Sequence, residues 1–305
     1  MEILYFFESI RNPVLNALFS FITNFGNEML FIIAGLVVFW CIDKYEGYFM
    51  LSVGLLATLI GQFLKIFCRI PRPWVADENF TTVGNSIDSA GGYSFPSGHS
   101  LASVSLYGSV ARWNKQKSVR AVAITLCILV PVSRLYLGVH TPLDVSVGAA
   151  IALALVFLIF PLVKSQKRDT YLAAIFLSLS LLSLAFVFYC EFYRFDANVD
   201  AENLLEAKKN AYTLLGTSLG LITAFVFDFK KGRFSTEAPL FGQILKCILG
   251  AVILLGIKAG TKPLLILLFG DIGLNHTIRY FLIVIFAGLI WPLTFPYFGK
   301  IGKKR

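Results

Sequence analysis

Residues 142–163 read Pro-Leu-Asp-Val-Ser-Val-Gly-Ala-Ala-Ile-Ala-Leu-Ala-Leu-Val-Phe-Leu-Ile-Phe-Pro-Leu-Val, an apolar run whose one charge is Asp144. A helix needs roughly 20 mainly apolar residues to cross the hydrocarbon of a bilayer, and this run is that long. Eight further stretches behave alike, some of them short: about 25–41, 47–66, 98–113, 119–138, 171–190, 211–227, 240–258 and 279–298. The expected fold is all-α, a polytopic transmembrane helix bundle of about nine spans. Composition agrees. Apolar residues make up 57% of the 305 and charged residues only 15%, against about 25% charged in an average soluble domain. A mean hydropathy of +0.73 likewise excludes a pair of soluble domains.

The net charge of +9 fits either a nucleic-acid or anionic-lipid footprint, or a membrane protein with basic cytoplasmic loops. Position decides. Alternate connections hold Lys44; Arg112, Lys115, Lys117 and Arg120; Lys164, Lys167 and Arg168; Lys230, Lys231 and Arg233; and Lys300, Lys303, Lys304 and Arg305. These are fifteen of the 27 basic residues, accompanied by five acids: Asp43, Glu46, Asp169, Asp228 and Glu237. The positive-inside rule places all five connections in the cytoplasm, with the C-terminus inside and the N-terminus outside. Charge dispersed among five loops forms no stripe for nucleic acid, so no such partner is expected. The expected setting is the cell (inner) membrane.

In residues 1–24, Glu8, Arg11, Asn12 and Pro13 interrupt any span, while Leu4, Phe7, Leu15, Leu18, Phe19 and Ile22 are apolar. An amphipathic helix lying in the interface fits; a cleaved signal peptide does not, because no basic segment precedes the apolar run. The organisation is then an interfacial helix over 1–24, a five-span catalytic core over 25–163 and a four-span extension over 164–305. Cys41, Cys68, Cys127, Cys190 and Cys247 show no paired spacing. They read as small buried hydrophobes, with neither a disulfide framework nor a metal knuckle.

The chemistry gathers in the outer loops. The loop from about 67 to 97 is long and punctuated, which marks a lid or binding loop. Lys65 ends the second span, and Pro71 and Pro73 bracket Arg72, fixing its backbone where a snorkelling cation needs no such constraint. Pro96-Ser97-Gly98-His99 opens the third span: Ser97 can cap, Gly98 lets a group approach the backbone, and the helix start favours an anion. Thr141-Pro142-Leu143-Asp144 reads as a cap, a first-turn proline and an acid. Capping alone accounts for Asp144; the functional alternative is that it orients His140. Arg134, His140 and Asp144 lie within eleven residues, on the face that also carries Lys65, Arg72 and His99. Three cations, two histidines and one carboxylate suit a phosphate. They suit zinc less, because the cations repel it.

These residues resemble a known family. Lys65 to Pro73 has the pattern KxxxxxxRP, residues 96–99 are PSGH, and Ser133 to Asp144 match SRxxxxxHxxxD. The chain is thereby similar to integral-membrane members of the type 2 phosphatidic acid phosphatase and vanadium haloperoxidase superfamily, over roughly residues 13–163. The nine-span layout is similar to that of the glucose-6-phosphatase and sphingosine-phosphate phosphatase branches in topology only. The last four spans carry no assignable motif. The resemblance implies a two-step hydrolysis without metal or cofactor. His140 would be the nucleophile, oriented by Asp144. His99 would protonate the leaving alkoxide and then activate water. Lys65, Arg72 and Arg134, with Ser97 and the Gly98 N–H, would bind the phosphoryl oxygens.

A site at the outer interface suits a lipid phosphate or diphosphate: phosphatidate, phosphatidylglycerophosphate, polyprenyl diphosphate or a sphingoid phosphate. The rivals are a phospho- or head-group transferase, a sugar-phosphate phosphatase and, outside enzymes, a transporter. A transporter would have to use Lys246 and Lys258, whereas the motif charges cluster at one membrane face. Segment 191–206 sets Glu191, Asp196, Asp200, Glu202 and Glu206 against Arg194. It is either a solvated loop or an acidic flap that repels or guides head groups.

Overall fold

The computed structural model describes residues 1–196, 199–230 and 234–301. Lys231, Arg233, Lys303, Lys304 and Arg305, all counted above toward orientation, lie outside the described residues. Among the described residues the fold is helical, with no strand. Helices α1 (Glu2–Ser9) and α2 (Pro13–Thr23) part at Asn12, whose side chain accepts from Leu15 N–H while Pro13 takes the first helical position. A cap followed by proline starts a new helix, so residues 1–24 form two helices. α3 (Glu28–Val37) runs into a π turn, Val38–Ile42. Then come α4 (Lys44–Cys68), α5 (Pro73–Ala76), α6 (Gly98–Trp113), α7 (Lys117–Tyr136), α8 (Pro142–Lys164) and α9 (Arg168–Phe192). α10 (Ala201–Lys230), α11 (Leu240–Phe269), α12 (Leu274–Ile285) and α13 (Phe295–Phe298) complete the chain.

All nine apolar stretches fall on helical segments. Among the described residues, seven helical stretches are long and apolar enough to cross a bilayer, and Pro13–Gly26 with Glu28–Ile42, bent by 50°, gives an eighth. The ninth is α6, which at 16 residues is about 24 Å long, short of a full crossing. Ser100, Ser103, Ser105 and Ser109 on α6 are buried, so that part of the helix packs against protein. In α11, by contrast, Leu255, Leu264 and Leu267 face outward, Leu267 at 82% exposure, where hydrocarbon is their solvent. This is an integral membrane protein.

Two compact units divide the chain. The first comprises Met1–Ile33, Val53–Pro161 and Arg194–Ala207. Within it α2 and α6 both pack on α7. Val83, Ala90, Tyr136, Leu137 and Val139 form a core backed by Phe7, Leu15, Phe19 and Trp74. Burying a large apolar side chain contributes roughly 1.5–3 kcal/mol, so this cluster ties the long 69–97 loop to the end of α7. The second unit comprises Ala34–Ser52, Leu162–Tyr193 and Lys208–Arg305. There Trp40 Nε1 donates to the Ala287 carbonyl at 2.9 Å, and Lys44 pairs with Asp228 at 3.0 Å.

Candidate active site

The first helical turn of α8 fixes one carboxylate. Thr141 N–H donates to Asp144 Oδ2 at 2.7 Å, and Asp144 N–H donates to Thr141 Oγ1 at 3.3 Å. This reciprocal cap holds Asp144, fully buried, in one orientation. The same Oδ2 lies 3.5 Å from His140 Nδ1 and accepts the Ser94 hydroxyl at 2.6 Å. The two sequence readings of Asp144 therefore coexist: it caps the helix and it faces the imidazole.

His140 sits in the turn between α7 and α8, 2% exposed. The turn needs Gly138, whose φ is +80°; a Cβ there would stand 2.7 Å from Arg11 Nη2. Arg11 donates to the Tyr136 carbonyl through Nε and Nη2, at 3.3 and 3.2 Å, and to the Thr81 carbonyl through Nη1, at 2.9 Å. A cation thus closes the C-terminal end of α7, where the helix carbonyls lack partners.

Arg72 lies against the imidazole. Its Nη1 lies 2.9 Å from His140 Nε2 and donates to the Val139 carbonyl at 3.0 Å. Its Nε donates to the Gly92 carbonyl at 3.0 Å and Nη2 to the Gly91 carbonyl at 2.6 Å. Lys65, in the last turn of α4, donates to the Tyr93 carbonyl. Three consecutive loop residues thus hold both cations. Arg134, fully buried, donates to Thr23 Oγ1 at 2.8 Å.

The start of α6 docks on the start of α8. Ser97 N–H donates to the Asp144 carbonyl at 3.0 Å, and Ser97 Oγ accepts from Ser100 N–H at 3.4 Å. A Cβ at Gly148 would stand 3.0 Å from the Ser97 carbonyl oxygen, so glycine permits this approach. Among the described residues, a Cβ on Gly98 would meet no atom of another segment within 4 Å. His99 follows in the first turn. Burial first, then the charges of Arg72, Arg134, Lys65 and His99, push the His140 imidazole well below the usual histidine range. It is neutral at neutral pH, and Arg72 and Asp144 both reach this one ring.

Ser94, Thr23 and Gly148 escaped the sequence reading, Arg11 entered it only as an interruption of a span, and Glu206 was one acid among several. The beginning of α10 lies on the loop that grips the cations: Asp200 N–H donates to Tyr93 Oη at 3.3 Å. A Cβ on Gly91 or Gly92 would stand 3.4 Å from Glu206 Oε2. Glu206 is close enough to act electrostatically on both Lys65 and Arg72.

A buried histidine beside Arg72, on an all-helical membrane scaffold, suits a negatively charged group. Residues 47–168 match the PAP2 superfamily, and residues 212–304 match the PAP2 superfamily phosphatase transmembrane extension. The chain is 31% identical over 172 residues to phosphatidylglycerophosphatase B of Bacillus subtilis, covering 52% of this chain and 80% of that protein. It is 26% identical over 285 residues to sphingosine-1-phosphate phosphatase 1 of Rattus norvegicus, covering 86% of this chain and 64% of the relative. Over 136 residues it is 29% identical to an undecaprenyl-diphosphatase of Sulfolobus acidocaldarius, covering 44% of this chain and 64% of the relative. No solved structure matches. The chain belongs to the PAP2 superfamily and is a membrane phosphatase. The match at 212–304 extends the kinship into the last spans, where the sequence offered no motif.

Proposed function

We propose that this chain hydrolyses a lipid phosphate or diphosphate without a metal, through a phosphohistidine at His140. The observation that carries the reading is the two-sided hold on that imidazole. An Arg72 N–H faces Nε2 at 2.9 Å, so Nε2 holds the lone pair and Nδ1 the proton. That proton points toward Ser94 Oγ, 3.4 Å away, and Asp144 Oδ2, 3.5 Å away. The tautomer follows from this donor pattern.

Phosphoryl oxygens compete with Nε2 for the Arg72 donors, freeing the lone pair. Nε2 then attacks phosphorus; the bond to the leaving oxygen breaks as His99 gives it a proton. The imidazolium is stabilised by Asp144, with Ser94 as a positioning residue. Water, deprotonated by His99, next attacks the phosphohistidine and releases inorganic phosphate and neutral His140. Lys65, Arg72, Arg134, Ser97 and the Gly98 N–H hold the charge that builds on the equatorial oxygens.

The lipid class rests on what the relatives are named for: phosphatidylglycerophosphate, sphingosine 1-phosphate and undecaprenyl diphosphate. The membrane is the cell membrane, the site lies on the extracytoplasmic side, the C-terminus is cytoplasmic, and residues 1–24 lie along the interface. Phosphate release by the purified full chain, measured over a panel of lipid and sugar phosphates, tests the reading. Release from lipid phosphates that survives EDTA and stops with vanadate, a mimic of five-coordinate phosphorus, is expected. Release confined to sugar phosphates, transfer to an added alcohol without release, or loss with EDTA would each overturn it.

A further inference from the structure

The five cysteines look unrelated in sequence, yet two of them meet. Cys41 lies in the π turn Val38–Ile42 and Cys247 in the second turn of α11. Their sulfurs are 3.1 Å apart, and among the described residues no other two sulfurs are in contact.

The backbone around the pair is fixed by polar contacts. Gln243 Nε2 donates to the Cys41 carbonyl at 3.2 Å and to the Thr236 carbonyl at 2.9 Å. Thr236 Oγ1 donates to the Ile42 carbonyl at 3.2 Å, and Lys246 Nζ to the Thr236 carbonyl at 3.0 Å. One turn further along α11, Gly250 lets the helix close on the Trp40 ring, where a Cβ would stand 2.7 Å from a ring carbon. The two sulfurs are thus held together by contacts on either side of them. A disulfide needs about 2.05 Å between sulfurs, a further approach of about 1 Å that side-chain rotation can supply.

We propose that Cys41 and Cys247 are an oxidisable pair that a hydroperoxide converts to an intramolecular disulfide joining the π turn to α11. The step balances. One thiolate attacks the peroxide oxygen, giving a sulfenic acid and the alcohol of the hydroperoxide. The second thiol then displaces water from that sulfenic acid and forms the S–S bond. Two thiols lose two electrons and two protons; one hydroperoxide becomes alcohol and water. Thiolate is the reacting form. The proposal does not depend on the phosphatase chemistry.

The test treats the purified full chain with cumene hydroperoxide, alkylates it under denaturing conditions, and maps peptides by mass. Of the five cysteines, Cys41 and Cys247 should escape alkylation together, appear in one cross-linked peptide, and return with dithiothreitol. Cys41→Ser and Cys247→Ser should each abolish the cross-linked peptide after peroxide. The wild-type peptide map decides the matter even where a variant folds poorly. Full alkylation after peroxide, a cross-link to Cys68, Cys127 or Cys190, or sulfinic acid at either position without a cross-link would overturn the proposal.

Discussion

Arg72 Nη1 lies 2.9 Å from His140 Nε2. On the proposed mechanism the guanidinium stands where attack on phosphorus begins, and the phosphoryl group inherits its N–H donors. Lysine supplies charge there without the planar fork and cannot also span the Gly91, Gly92 and Val139 carbonyls. Arg72→Lys should lower kcat/KM by about 100- to 1,000-fold, the usual effect of losing an oriented donor to developing charge. Steady-state phosphate release with a thermal-unfolding control checks this; a loss under tenfold in a folded variant contradicts it.

Ser94 bridges Asp144 and His140, the proposed nucleophile, donating to Asp144 Oδ2 at 2.6 Å and lying 3.4 Å from His140 Nδ1. Without it Asp144 keeps its bond to Thr141 N–H, so the helix cap survives. Ser94→Ala should lower kcat by about tenfold, the scale of one hydrogen bond to a charged group, while KM holds. A rise in KM at constant kcat would make Ser94 a substrate-binding residue instead.

Protonation of His140 has a predictable sign. Burial, then the Arg72 charge, hold it well below its ordinary range, whereas in the unfolded chain a histidine protonates near pH 6.5. Below that pH the unfolded chain binds the extra proton, so the folded state loses stability as pH falls. Between pH 7 and 5.5 this one group should remove about 1 kcal/mol. His140→Gln should lose less stability over that interval than the wild type. Parallel thermal-unfolding curves for the two would contradict the assignment.

Glu206 places a carboxylate where it acts on Lys65 and Arg72. Its charge should disfavour a diphosphate more than a monophosphate, because repulsion grows with ligand charge. Glu206→Gln should raise kcat/KM for farnesyl diphosphate relative to a lipid monophosphate by several-fold. An unchanged ratio would reduce this residue to solvated surface.

The spans were legible because bilayer length and apolar composition are local properties, and Lys65, Arg72, His99 and His140 because they stand in dense, unusual strings. Residues that work across long sequence distance were not. Ser94 is 46 residues from the ring it faces, and Arg11 closes a helix end 125 residues away; neither type is rare enough to announce itself. Cys41 and Cys247, 206 residues apart, become a pair only when α11 packs on the π turn. The shortness of α6 was visible in the 98–113 stretch, whereas the burial of its serines was not, because that depends on neighbours contributed by other segments.

The nucleophile is tested most directly by trapping the intermediate. The purified full chain is mixed with 32P-labelled lipid phosphate, quenched in base within milliseconds, where phosphohistidine survives and acyl phosphates do not, and mapped by mass spectrometry. Label on His140, absent from His140→Ala and cleared on a chase with unlabelled substrate, is the expected result. Label on any other residue, or continued phosphate release by His140→Ala, would contradict it.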